Sequence, residues 1–251
     1  MTRMMLTGIL ALAAGLSSHG LMAQAPKGPA PKSQGEVKAV QALAGAQGNP
    51  DATIKAADEL LTKYADTEFK EIALTMEASA YAQKGDSVKA QIYGEQVLAM
   101  NPKNSQITLM MGTLIAQGTH ENDLDRDERI AKSSKYLNDT MENLKTTPKP
   151  NPQLTDQQWE EAKKYLTAQA HNGLGLNQMT LKKYDGAIAE FKMATELDPQ
   201  PAYQVRLASA DQLAGKNDDA IAICDKLLAD PQLHPTIKAV ATQVKAAASK
   251  K

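Results

Sequence analysis

Apolar residues recur at three- and four-residue steps through most of the chain. Ile188, Phe191, Ala194 and Leu197 fall on one stripe of an amphipathic helix. Trp159, Ala162, Leu166, Ala170 and Leu174 share one face of a longer helix, predicted from residue 156 to about residue 180. Further helices are predicted over residues 34–47, 50–64, 127–145 and 235–248. Gly85-Asp86, Asp185-Gly186 and Gly215-Lys216-Asn217 supply the turn chemistry between helices. Residues 145–154, KTTPKPNPQL, carry three prolines and interrupt the helical pattern. Thr155 and Gln158 beyond them have the spacing of a capping box. Ala78, Gly112, Gly175 and Ala208 are small enough for paired helices to approach closely. In a free helix Gly175 would cost about 1 kcal/mol relative to alanine, so close packing must offset it. Neither helix of a pair can bury its stripe alone, and stacking neighbouring pairs makes the continuous core.

The pattern repeats. Leu174-Gly175, then Ala187, Phe191, Ala194 and Pro199 fall at the spacings of W-x2-L-G-x2-Y…A-x3-F…P, with His171 and Gln178 at the Trp and Tyr places. Ala187 and Ala220 are 33 positions apart, and Gly215 occupies the turn before Ala220. Upstream, Ala78, Tyr81, Gly85, Ala90 and Pro102 keep the same order, although Gly94 stands where the second-helix aromatic belongs, predicting a looser local core. The next unit starts near Asn104 with Met111-Gly112, and its turn is lengthened over residues 118–126. These segments resemble tetratricopeptide repeats, strongly over residues 71–102 and 168–232 and more weakly over the rest of 34–248. The resemblance implies an all-α chain, a right-handed superhelical α-solenoid of stacked antiparallel helix pairs. Two sub-stacks are expected, residues 34–145 and 155–248, joined by a stiff linker at 146–154 and closed by a capping helix at 235–248.

In this family the first helices of successive repeats line a groove that receives a peptide or helix of a partner protein. By that resemblance the groove candidates are Thr75, Ser79, Leu109, Thr113, Asn172, Leu176, Met179, Val205, Ser209 and Gln212. Members that clamp a carboxylate terminus place Lys, Arg and Asn in the groove. These positions offer Asn172 but no Lys or Arg, which argues against that specificity. The implied function is a non-enzymatic protein-interaction scaffold of the cell envelope. The alternative is a structural subunit of an envelope assembly that docks by its convex face.

Composition narrows the function further. The 28 Lys and Arg residues nearly balance 29 Asp and Glu, without the basic excess that phosphate neutralisation on nucleic acid requires. Aromatics are only 4%, so alanine and leucine must fill the core. Residues 1–23 have the form of a signal peptide: Arg3, an apolar run from Met4 to Leu16 too short to span a bilayer, then small residues. Cleavage after Ala23 predicts a periplasmic or secreted protein beginning at Gln24, with no membrane span after removal. Residues 24–33 form a Pro-rich lead, expected to be disordered.

No residue set points to catalysis, a cofactor or a metal. Asp123, Asp125 and Asp127 alternate as in a calcium loop, but Glu128 and Ser134 stand where Gly and Glu should follow. They read better as acids at a helix N-terminus. His120, His171 and His234 lack metal-ligand spacing. The single Cys224 lies one turn after Ala220 and reads as a small buried hydrophobe.

Overall fold

A computed structural model describes residues 28–150 and 153–250. Residues 1–23, where the signal peptide is predicted, and the start of the Pro-rich lead lie outside the described residues. Eleven helices and no strand occur among the described residues, so the chain is all-α as expected. They are α1 (Gln34–Gly45), α2 (Pro50–Lys63), α3 (Lys70–Gln83), α4 (Ser87–Met100), α5 (Ser105–Gln117), α6 (Arg126–Thr146), α7 (Asp156–Thr180), α8 (Tyr184–Leu197), α9 (Pro201–Leu213), α10 (Asn217–Leu228) and α11 (Pro235–Ala248).

Helix starts follow local chemistry. The side chains of Ser33, Asn49 and Asp86 each accept an amide of the first turn of α1, α2 and α4. Proline occupies the first turn of α2, α9 and α11, where its missing N–H costs no hydrogen bond.

Contacts divide the chain into two units. The first holds the described residues up to Ile107 together with Pro148–Thr155. Its core gathers Val40, Leu43, Ala57, Leu60, Phe69 and Ala73, and α2 and α4 both pack on α3. The N-terminal lead is less free here than its composition suggests. The Ala30 amide donates to Glu68 at 2.9 Å, and the Lys32 amide donates to the buried Glu36 carboxylate at 2.6 Å. Thr67 also donates to Glu36, and the Lys32 ammonium pairs with Asp66 at 2.7 Å. Residues 30–32 are therefore held across the α2–α3 turn, which differs from the disorder expected for that part of the lead. The physical reason is a set of acceptors: Glu36 on α1 takes the Lys32 amide, while Glu68 and Asp66 take the Ala30 amide and the Lys32 ammonium.

The second unit comprises residues 108–147 and 156 onward. This differs from the division expected at 146–154, because α6 packs on α7 across the Pro-rich stretch. Leu137 of α6 accounts for that packing. A Cβ on Gly112 of α5 would come within 2.6 Å of Leu137 Cγ, and one on Gly173 of α7 within 2.8 Å of its Cδ1. The fully buried Leu137 thus fills the hollow over two glycines on two different helices. Beside it, Asn177 of α7 donates to Ser133 and Ser134 of α6 at 2.9 and 3.0 Å, and Ser133 donates to the Gly112 carbonyl at 2.8 Å. Thr140 reaches Thr108 at 2.8 Å.

The same device recurs at Gly175, where a Cβ would meet the Phe191 ring at 2.5 Å. Phe191 of α8 joins Ala187, Ile188, Leu207 and Ala210 in one cluster. At the end of the unit α11 covers Ala208, Ala220, Cys224 and Leu227 with Ala241, Val244 and Ala248. Trp159 is only half-buried, under the Lys163 ammonium, and is not the core anchor that its stripe suggests.

Three of the α–α turns are one geometry. The amides of Asp86, Lys183 and Lys216 donate to carbonyls five residues back, on Tyr81, Gln178 and Asp211. The preceding residue takes a positive φ each time: 76° at Gly85, 77° at Gly215, and 56° at Lys182. Lys182 is the only non-glycine residue with positive φ among the described residues. A left-handed residue with a Cβ costs roughly 1–2 kcal/mol, more than the 0.2–1 kcal/mol typical of an exposed pair such as Lys182–Glu121.

Two measurements check this packing. Leu137→Ala lowers stability by about 2–5 kcal/mol in urea denaturation, because two glycine faces lose their filler. Lys182→Gly raises stability by up to about 1 kcal/mol and leaves the helical circular-dichroism signal unchanged.

Candidate functional site

The ten groove candidates divide by register within the repeat. Thr75, Leu109, Asn172 and Val205 each precede a small residue by three positions (Ala78, Gly112, Gly175, Ala208) and are all buried. The backbone register turns this position toward the neighbouring helices, so these four pack rather than present themselves. Leu109 belongs to the cluster around Leu137, Ala170 and Leu174, and Val205 to the cluster under α11. The Thr75 hydroxyl is buried without a hydrogen-bond partner among the described residues.

Ser79, Thr113, Leu176 and Ser209 directly follow the small residue and are half-buried, as are Met179 and Gln212 one turn further on. Ser79 and Ser209 donate to the carbonyls of Thr75 and Val205 at 2.8 Å, back-bonding that leaves each hydroxyl oxygen as an acceptor. In the first unit Gln106 uses Ser79 in this way, at 3.3 Å. Leu176 and Met179 lie against the Phe191 cluster with part of their surface open. Thr75 and Ser79 belong to the first unit; the other eight candidates belong to the second.

A charged residue not among the ten enters this register. Arg206 of α9 donates from Nη1 to the Asn172 oxygen at 2.5 Å. Burial pushes its guanidinium below the usual arginine range. The signal was available in the repeat alignment, because the equivalent positions are Met76, Met110 and Gly173 and only the last repeat places a cation there. Next to Asn172 on α7, His171 stands 2.7 Å from Glu190 of α8, in the place of the repeat's tryptophan. The Tyr203 hydroxyl, buried on α9, is pushed up to about 12 by desolvation.

The remaining candidate chemistry is engaged in structure. Asp123 accepts the His120 amide at 2.8 Å, and Asp127 accepts from Arg126 Nε at 2.8 Å. Asp125 is the residue before α6, without a side-chain cap bond. Burial raises the Cys224 thiol above its ordinary value, which disfavours the thiolate. Among the described residues no three His, Cys, Asp or Glu side chains gather into a metal site, and no helix is long and apolar enough to cross a membrane.

No protein-family profile and no curated protein matches the chain. Solved structures do. A thermophilic tetratricopeptide-repeat protein of Thermus thermophilus aligns with TM-score 0.54 and 19% identity, over 84% of this chain and 97% of that one. The MamA RS-1 ArsTM double mutant aligns with TM-score 0.54 and 13% identity, over 87% and 99%. A tetratricopeptide-repeat protein of Parabacteroides merdae gives TM-score 0.50 and 16% identity, over 86% and 87%. The fold of the chain is that of tetratricopeptide-repeat structures.

The Arg206–Asn172 bond makes a quantitative prediction. Asn172→Ala leaves a half-buried guanidinium donor unpaired and lowers stability by about 1–3 kcal/mol. Adding Arg206→Met, the residue type of the two earlier repeats, restores most of that loss. A denaturation double-mutant cycle reads the coupling, and additive losses would contradict it.

Proposed function

We propose that the protein is a non-enzymatic interaction scaffold whose second unit holds a segment of a partner protein along α5, α7 and α9. The observation that carries this reading is the register of half-buried side chains: Thr113, Leu176, Met179, Ser209 and Gln212 present a mildly apolar, hydroxyl-bearing surface from successive first helices. Apolar methylenes offer packing to a helix or extended segment, and hydroxyl oxygens offer acceptors to its backbone amides. Ser79 on α3 holds the equivalent repeat position in the first unit. The protein would act in the bacterial cell envelope after removal of residues 1–23. The sequence form of that segment supports the location, and N-terminal sequencing of the secreted or periplasmic fraction tests it, with Gln24 as the first residue.

A second reading rests on α4. Its Val88, Ile92 and Met100 are 67%, 51% and 49% exposed, an apolar face on a second helix of a repeat. A structural subunit docking by its outer surface would use such residues.

One experiment separates the two. Leu176→Glu and Ile92→Glu variants, both checked for native helix content, are expressed in the native cell and crosslinked before purification. The scaffold reading predicts that partners are lost with Leu176→Glu and kept with Ile92→Glu. The reverse pattern establishes docking through α4 instead.

A further inference from the structure

Glu77 breaks the repeat at its most apolar position. It precedes the small residue Ala78, as Met111, Leu174 and Leu207 precede Gly112, Gly175 and Ala208. All four are buried, and Glu77 is 0% exposed. Neither carboxyl oxygen meets a partner at full hydrogen-bond geometry among the described residues, and only the Tyr93 hydroxyl and the Asp58 carboxylate lie near enough to share a proton with it. A fully buried acid without such partners is costly as an anion, and it persists more cheaply as the neutral acid.

The surroundings are those of a repeat altered at two linked positions. Gly94 takes the place that Phe191 holds in the later repeat. Tyr93 stacks on Tyr81 with centroids 5.4 Å apart and planes 7° from parallel, and the Lys89 ammonium lies 5.0 Å from the Tyr81 ring centre. The groups that act on Glu77 are Asp58 from α2, and Tyr93 and Lys89 from α4. Burial pushes its carboxyl up to about 7. The Asp58 carboxylate adds to the rise, while the Tyr93 hydroxyl and Lys89 oppose it.

We propose that Glu77 is a proton-operated latch of the α3–α4 hairpin: as the neutral acid it completes the packing of α3 against α2 and α4, and its ionisation releases that packing. The closed hairpin keeps the proton up to about pH 7, whereas an opened hairpin releases it near the ordinary value of 4.5. Between these values the closed form binds more protons than the open one. Opening therefore becomes easier as pH rises through that window and levels off above it. Because Ser79 lies on the same helix, a partner held there would be gripped more firmly in acid; this consequence alone rests on the scaffold reading.

Hydrogen–deuterium exchange of the full chain at pH 5 and pH 8, corrected for the intrinsic exchange rate, tests the latch. The opening constant of the α3 and α4 amides is expected to rise on the order of 100-fold in the wild type, and to stay flat in Glu77→Gln and Glu77→Leu. An equal rise in either variant overturns the proposal. Should both variants fail to fold, carbon-13 NMR of the Glu77 carboxyl in the wild-type chain decides. A midpoint near pH 7 supports the latch, and one in the ordinary glutamate range overturns it. No partner is needed, so failure of the scaffold reading leaves the test intact.

Discussion

The second unit depends on side chains of one helix entering spaces that glycines leave on others. Leu137 is the clearest case: its branched end fills space over both Gly112 and Gly173, so three helices from two consecutive repeats meet at one residue. Phe191 over Gly175 repeats the arrangement one hairpin later. A chain with only 4% aromatic residues cannot fill wide gaps between helices. It brings the helices close on small residues and uses a few large side chains as wedges. Close approach also shortens the reach for polar groups, and the chain from Asn177 through Ser133 to the Gly112 carbonyl follows from that proximity. The glycines that a free helix would resist are the places where the packed helix gains contact.

The repeats are not equivalent, and their differences are chemical. The last repeat carries Arg206 where earlier ones carry Met or Gly, and the guanidinium is satisfied at Nη1 by the Asn172 side chain of the preceding first helix. The α3–α4 repeat has Gly94 at the position of the second-helix aromatic and Glu77 where other repeats have Met or Leu. The α7–α8 turn holds Lys182 in a backbone conformation that its counterparts give to glycine. These departures show that the repeat pattern alone does not dictate the residue at each position.

Much of this was legible from periodicity. The limits of α7 and α11 agree with the predicted segments, because caps, prolines and apolar spacing all mark the same ends. Ala78, Gly112, Gly175 and Ala208 are all buried small positions. Gly173 was missed because the repeat pattern calls for no small residue there; only the neighbour Leu137 explains it. The Pro-rich stretch looked like a boundary because proline stops a helix, yet stopping a helix does not separate the helices on either side. Of the ten candidate positions, periodicity did not separate the buried ones from the half-buried ones. The family resemblance placed Thr75, Leu109, Asn172 and Val205 in the groove together with the residues four positions on, whereas the rotation of each helix buries the first set and leaves the second half-open. Side-chain pairing such as Arg206 with Asn172 links residues 34 positions apart and has no local signature.

Function follows from what the packing leaves over. The first helices give their small residues to large side chains of the second helices, and the next residue in each register remains partly uncovered. That remainder is the surface on which the proposed scaffold role rests. The account is tested most directly at Leu137, by nuclear Overhauser contacts in a methyl-labelled sample. Contacts from the Leu137 methyl groups to the α-protons of both Gly112 and Gly173 are predicted. Contacts to one glycine only, or to neither, would mean that consecutive repeats are not locked through this side chain.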